Sequence, residues 1–412
     1  KSRLDAFGLL PQKMGWFPEK IHKDLDAIIL GMHARIDNPE LIKAQELKIP
    51  IYSYPEYIYN QSTDKKRVVI GGSHGKTSIT AMILHVLHHY NMDCDYMVGA
   101  KLDGFDTMVR LTAEAPVIVL EGDEYLSSPI DRRPKFHWYK PHIAILSGIA
   151  WDHINVFPTF ENYVNQFRIF KNDVEDVLFY CDDDKVLSDL CQEDSTCRLE
   201  SYSVPNHCVE DGVTYLIDGE SKHRLEIFGE HNLQNLNAAL LVCQELGIQK
   251  SDFYKAISLF KGASKRLELV KRGESSVVYK DFAHSPSKLK ATSSAMKKQY
   301  THRALVACME LHTFSSLNKD FLKEYLGAMD TPDIAVVYFS KAAIAHKKLE
   351  DISVEQVHKA FGRLDLKVFT DSKDLQLFLK SLEWKNRNLL MMSSGNFDGI
   401  DFNCLAEDLL ES

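Results

Sequence analysis

The stretch Val68-Val69-Ile70-Gly71-Gly72-Ser73-His74-Gly75-Lys76-Thr77-Ser78 carries an apolar, β-branched run into a glycine turn. Beyond the turn, apolar residues return at Ile79, Met82, Ile83, Val86, Leu87 and Tyr90, the i, i+3, i+4, i+7 spacing of one helix face. The reading is a buried strand, a tight turn and a helix. The first N–H groups of such a helix lack partners within it and sit at the positive end of its dipole, which suits a phosphate. Gly72, Ser73, His74, Gly75, Lys76, Thr77 and Ser78 are therefore expected to cradle a nucleotide phosphate chain. Lys76 would reach the outer phosphates, and the Thr77 hydroxyl would ligate the accompanying magnesium. Ile70 stands where the common GxxxxGK[ST] loop has its first glycine, so the loop is a shortened form. The plainer alternative is an αβ turn whose glycines serve only the backbone.

Working outward, 412 residues are too many for one ordinary core, and two to four domains are expected. A hydrophobic content of 45% with 26% charged residues is that of a globular protein. The net charge of -9 argues against a nucleic-acid coat or an anionic-membrane binder. No apolar run is long enough to span a bilayer and no signal-peptide pattern opens the chain, so a cytoplasmic protein is expected. The eight cysteines include no CxxC pair and read as reduced thiols.

Residues 1–66 read as the remainder of a small α/β domain, with strands at 26–31 and 49–53, a helix opening at Asn38-Pro39-Glu40 and a polar linker over 61–66. Residues 67–263 read as a central α/β domain with strands at 117–121, 142–147 and 177–180. An antiparallel excursion is expected over 198–204, 214–217 and 224–228. Residues 264–412 repeat the βα alternation, with strands at 276–280, 304–308, 334–338, 367–369 and 388–392, and read as a Rossmann-like domain.

Several clusters fall at the ends of these strands. Glu121-Gly122-Asp123-Glu124 closes one, and carboxylates beside a phosphate chain usually hold magnesium, with Glu124 the foremost candidate. Trp151-Asp152-His153 follows another, where His153 would ligate a second cation or contact a phosphate. In His231-Asn232-Leu233-Gln234-Asn235 the two amides, three residues apart, project from one helix face and can read a base edge. Capping of the helix start accounts for Asn232 but poorly for Asn235. Arg266 sits at the proposed domain boundary. In Asp281-Phe282-Ala283-His284-Ser285-Pro286 a strand ends in an acid suited to ribose hydroxyls. Ser393-Ser394-Gly395-Asn396 is a small-residue turn that could cradle a carboxylate.

Taken in order, GGSHGKTS, EGDEY, WDH, GEHNLQNLNAA, SKRLE and DFAHSP resemble the Mur ligase superfamily over nearly the whole chain. That resemblance implies a UDP-sugar-binding N-terminal domain, incomplete here because its first glycine-rich turn would lie upstream, a central P-loop ATPase domain and a C-terminal Rossmann-like domain. It implies ATP and Mg2+ as cofactors and an acyl-phosphate route to an amide bond. Carried over by position, Lys76 and Thr77 match the phosphate loop, Glu124 and His153 the magnesium ligands, and His231, Asn232 and Asn235 the adenine-contacting helix. Arg266 matches a phosphate-facing arginine, Asp281 a ribose-binding acid, and His284 lies in the same motif. The stretch from Glu121 to Tyr139, with Arg132, Arg133 and Lys135 as substrate candidates beside Ser394 and Asn396, is similar to the branch joining UDP-N-acetylmuramate to L-alanyl-γ-D-glutamyl-meso-diaminopimelate. The alternatives are the branch adding L-alanine to UDP-N-acetylmuramate and an inactive nucleotide-binding regulator. Two departures stand out: Ser285 replaces a second histidine, and Glu310-Leu311-His312-Thr313 stands where an arginine is usual.

Overall fold

Short apolar runs separated by helical stretches build parallel sheets, because the crossover between two parallel strands needs a helix-length connection. The computed structural model describes residues 2–11, 13, 15–102, 104–151, 156–262, 266–347 and 349–411. Each expected run contains a strand, with ends shifted by a few residues. Contacts divide the chain into two compact units: Lys1–Lys76, Asp93–Met97 and Val109–Ser201, and Thr77–Met92, Val98–Met108 and Tyr202–Ser412.

In the first unit, β1 (Ile28–Leu30) and β2 (Ile51–Ser53) pair in parallel. A seven-stranded sheet follows, built from β3 (Lys66–Gly71), β4 (Asp95–Met97), β5 (Val109–Arg110), β6 (Val117–Glu121), β7 (Ile143–Leu146), β8 (Val177–Cys181) and β9 (Arg198–Tyr202). Its spatial order is β5-β4-β6-β3-β7-β8-β9. Only β5 is antiparallel among the registered pairs. Val68, Val69 and Ile70 on β3 are wholly buried, as the continuous apolar run requires of a central parallel strand. Helix Phe160–Asn172 buries Tyr163, Phe167 and Phe170, and Phe136 stacks on Phe170 with centroids 4.6 Å apart.

Two expectations are corrected here. The polar stretch 61–66 is no solvated linker: Ser62 and Lys65 are buried, and Lys66 already belongs to β3. The Lys65 amine donates to the carbonyls of Thr112 and Ala115 at 2.8 Å each and pairs with the buried Asp95 at 3.3 Å. A buried ammonium is tolerable only with such a set of oxygens. The run at 198–204 likewise joins the seven-stranded sheet as β9, so the antiparallel excursion comprises only the later strands.

In the second unit, β10 (His207–Glu210), β11 (Val213–Asp218) and β12 (Ser221–Leu225) form that antiparallel sheet. A six-stranded sheet follows, from β13 (Glu268–Arg272), β14 (Val277–Asp281), β15 (Ala304–Leu311), β16 (Ile334–Phe339), β17 (Lys367–Phe369) and β18 (Arg387–Met392). Its order is β13-β14-β18-β15-β16-β17, parallel except for the edge strand β13, which the sequence reading missed. Alternate residues feed two cores: Val277, Tyr279, Ala307 and Met309 enter one, and Val278, Val306 and Cys308 the other. β14, β18 and β15 lie side by side, so Asp281, Ser393–Asn396 and Glu310–His312 reach the carboxyl edge where α/β sheets hold ligands. Among the described residues, no helix is long and apolar enough to cross a membrane.

Candidate functional site

The glycine turn after β3 depends on close backbone approach. Gly72 has φ +118°, and a Cβ there would strike Ser147 Oγ and lie 2.7 Å from the Ser147 nitrogen. Ser147 donates its hydroxyl to the His74 carbonyl, and Ser73 donates its N–H to the Gly148 carbonyl at 3.0 Å. The turn following β7 thus braces the loop. Helix Lys76–His89 begins directly at Lys76.

Lys76 Nζ donates to Glu124 Oε2 and to the Gly72 carbonyl, both at 2.6 Å. Burial disfavours the Lys76 ammonium, but Glu124, Asp123 and Glu121 outweigh that and hold its pKa above the ordinary lysine value. Glu124 is only 2% exposed. Its other oxygen, Oε1, accepts the Tyr163 hydroxyl at 3.1 Å, and Ser73 Oγ lies 2.9 Å from the same hydroxyl. β3 and β6 are adjacent parallel strands, with Ile70 opposite Glu121, and this register brings loop and acidic cluster together. Sequence reasoning placed Lys76 and Glu124 but missed Tyr163, whose position on helix Phe160–Asn172 reads as plain core.

The stretch after Glu124 is largely tied within the chain. Lys135 pairs with Asp123 at 2.6 Å. Burial would raise the Asp123 pKa, but Lys135 and Lys76 hold it below the usual carboxylate value. Arg133 lies over the Trp138 ring at 3.9 Å, and Asp131 accepts from both side chains. Arg132 is exposed. Asp152 and His153 lie outside the described residues. Among the described residues, no three His, Cys, Asp or Glu side chains converge as a metal cluster. The donor chemistry at Glu124 nonetheless fits a magnesium held by few protein ligands, with phosphate and water completing its shell.

The second unit holds a recess lined by Ser78, Met82, Phe228, Asn232, Phe260 and Arg266. Glu226 and Lys261 line it as well, so its wall mixes charged and polar groups with apolar ones. Helix Glu230–Glu245 starts after Gly229, whose φ is +90° and whose missing Cβ would meet Ala295 Cβ at 2.7 Å. The Asn232 amide turns back to donate to the Phe228 carbonyl at 2.9 Å. Asn235, three residues on, is buried on the same helix face. Burial holds the His231 pKa below its ordinary value despite Asp281, with Arg266 pushing the same way as burial. The Arg266 guanidinium lies 5.0 Å over the Phe282 ring. Asp281 accepts the backbone N–H of Ala283 at 2.6 Å and of Leu267 at 2.7 Å, so it anchors the chain after Arg266. His284 Nδ1 bonds the Phe282 carbonyl at 2.8 Å.

At the neighbouring strand ends, Glu310 is 1% exposed and accepts from Ser393 Oγ and, at 2.9 Å, from the Phe397 N–H. His312 Nδ1 lies 3.4 Å from Glu310 Oε1. A Cβ on Gly395 would sit 2.7 Å from His312 Nδ1, which explains the glycine. Among the described residues the buried Ser394 hydroxyl has no hydrogen-bond partner, whereas Asn396 closes a turn by accepting from Gly399 N–H at 3.2 Å.

The chain thus carries a strand, a shortened glycine loop and a buried lysine–carboxylate pair, followed by an asparagine-bearing helix and a largely parallel C-terminal sheet. Residues 70–243 match the Mur ligase middle domain. The UDP-N-acetylmuramate–L-alanine ligase of Sulfurihydrogenibium sp. (strain YO3AOP1) is 28% identical over 393 residues, covering 91% of this chain and 83% of that protein. The fold resembles the UDP-N-acetylmuramate–alanine ligase structure from Thermotoga maritima (TM-score 0.69, 18% identity, 100% of this chain and 90% of that one). It also resembles the murein peptide ligase structure from Psychrobacter arcticus 273-4 (TM-score 0.62, 19% identity, 100% and 91%). The match to the Mur ligase middle domain thus covers the central part of the chain, and the likeness to these relatives extends over most of its length.

Proposed function

We propose that this chain is an ATP-dependent ligase that joins the carboxylate of UDP-N-acetylmuramate to the amine of L-alanine, acting in the cytoplasm. The single observation that carries the reading is the Lys76–Glu124 pair, set where the phosphate loop meets the acidic strand end. The choice of L-alanine is supported by the relatives named UDP-N-acetylmuramate–L-alanine ligase, of which the chain spans 83% and 70% in the first two. The tripeptide expected from residues 121–139 becomes the second reading. It retains one support, the exposed Arg132 beside a segment otherwise held rigid by Asp123 and Asp131.

In the proposed reaction the substrate carboxylate attacks the γ-phosphate of ATP, the bond to ADP breaks and an acyl phosphate forms. The amine nitrogen then attacks the acyl carbon, loses a proton and expels phosphate. Phosphoryl transfer needs positioning and charge neutralisation more than covalent help. Lys76 and Arg266 would supply positive charge, while Asn232, Asn235 and His231 would hold the base and Asp281 the ribose. Thr77, Glu124 and His153 would hold magnesium, which supplies further charge neutralisation at the phosphates. The division into domains at 66/67 and 263/264 belongs to the same reading, as does closure of the C-terminal domain to exclude water.

Lys76→Ala tests this directly, because loss of one such charge stabiliser typically costs roughly 10²–10³-fold in rate. A variant that releases ADP at the wild-type rate would overturn the assignment. Supplying UDP-N-acetylmuramate with L-alanine or with the tripeptide, and following phosphate, decides the acceptor. Silence with both, despite ATP binding, would favour the regulator.

A further inference from the structure

The Tyr163 hydroxyl has no task in the chemistry just proposed, yet Tyr163 is wholly buried between two parts of the nucleotide machinery. A carboxylate only accepts, so the hydroxyl proton goes to Glu124 Oε1, 3.1 Å away. With that proton committed, Ser73 Oγ must donate its own to the tyrosine oxygen across 2.9 Å. Ser73 Oγ in turn accepts the Ala150 backbone N–H at 2.9 Å. The chain from Ala150 through Ser73 and Tyr163 to Glu124 therefore runs one way, with each proton assigned, and bonds in such a series reinforce one another. On the opposite side Glu124 Oε2 takes Lys76. The carboxylate is thus fixed from the loop lysine on one oxygen and from the loop serine, through Tyr163, on the other.

We infer that Tyr163 is a positioning residue that sets the orientation of Glu124 and couples it to the phosphate loop through Ser73. The inference rests on the reading of residues 72–78 and Glu124 as the nucleotide and magnesium site. A purely structural role would lie in the ring, which packs edge-on against Phe167 with centroids 5.1 Å apart and near Phe157 at 5.3 Å. Tyr163→Phe keeps that ring and removes only the hydroxyl, so it separates the two roles. Removing the outer partner of a metal-binding side chain typically weakens metal affinity by about 10–100-fold.

The experiment titrates a fluorescent ADP analogue against the full-length protein at a series of Mg2+ concentrations, with thermal unfolding recorded without nucleotide. Tyr163→Phe is expected to raise the Mg2+ concentration for half-maximal binding by about tenfold, with KM for UDP-N-acetylmuramate unchanged and kcat lowered. Ser73→Ala is expected to reproduce part of that shift. In a Glu124→Ala background, Tyr163→Phe is expected to add nothing, since a residue acting through Glu124 has nothing left to orient. An unchanged Mg2+ midpoint in Tyr163→Phe, with normal nucleotide binding by the wild type, would overturn the inference alone. Failure of the wild type to bind ADP at any Mg2+ concentration would overturn the nucleotide-site reading and the inference with it.

Discussion

Replacing Lys76 by methionine removes the charge and keeps most of the side-chain volume. Glu124, 2% exposed, would then be a buried carboxylate deprived of its counter-ion. At 2.6 Å and an effective dielectric constant near 20, Coulomb attraction comes to about 6 kcal/mol before desolvation is subtracted. Breaking one side of a buried pair typically costs about 3–5 kcal/mol. The lower end applies, because Lys76 keeps 14% exposure and Tyr163 still donates to Glu124. Lys76→Met should therefore destabilise its unit by about 3 kcal/mol, or roughly 6–12 °C in midpoint for a cooperative unit of this size. Adding Glu124→Gln removes the orphaned charge and should recover most of the loss, although both variants should release ADP at least roughly 10²-fold more slowly than wild type. Differential scanning calorimetry without nucleotide, beside an ADP-release assay, reads both quantities. A Lys76→Met protein as stable as wild type, or a double variant no better than the single, would refute the buried pair as described.

Other outcomes follow from the same contacts. Burial keeps His231 neutral in the fold, so its folded pKa lies below the unfolded value near 6.5. Below about pH 6.5 the unfolded chain binds the extra proton, and stability falls as pH drops through that range but is level above it. His231→Gln should flatten the slope between about pH 7 and 5 in urea titrations, leaving the contributions of His85, His137 and His142, whose pKa values burial also lowers. A slope unchanged by the substitution would count against the buried neutral ring. Lys171 is wholly buried and donates to the carbonyls of Leu190, Glu193 and Asp194 at 3.0–3.1 Å. Lys171→Met leaves those acceptors without their cation and should cost about 3 kcal/mol of stability while sparing turnover at low temperature. An unchanged urea midpoint would contradict the bonding seen.

What was legible in the sequence was whatever is local. The β-branched run 68–70, the glycines at 71, 72 and 75 and the helical apolar spacing after Lys76 mark strand, turn and helix within twenty residues or so. Glu124 could be placed because apolar strands end where α/β sheets carry their ligands. What was hidden depends on partners distant along the chain. Lys65 reads as linker until Asp95 and the carbonyls near residue 115 close around it. Tyr163 reads as one more aromatic on an apolar helix face, since only folding brings it to Glu124 and Ser73. Asp281 reads as a ribose ligand, but the turn also places two backbone amides on it. Strand β13 was missed because its half-exposed Glu268-Leu269-Val270-Lys271-Arg272 lacks the apolar density of the central strands, as an edge strand can.

The central claim is tested by mixing the protein with ATP, Mg2+ and UDP-N-acetylmuramate, adding L-alanine or L-alanyl-γ-D-glutamyl-meso-diaminopimelate, and measuring ADP with mass detection of the UDP-linked product. ADP and product are expected in equal amounts, dependent on both UDP-N-acetylmuramate and L-alanine and slowed by roughly 10²–10³-fold in Lys76→Ala. ADP formation with the tripeptide alone would move the protein to the second reading. No UDP-linked product with either amine, from protein that binds ATP, would contradict the ligase assignment.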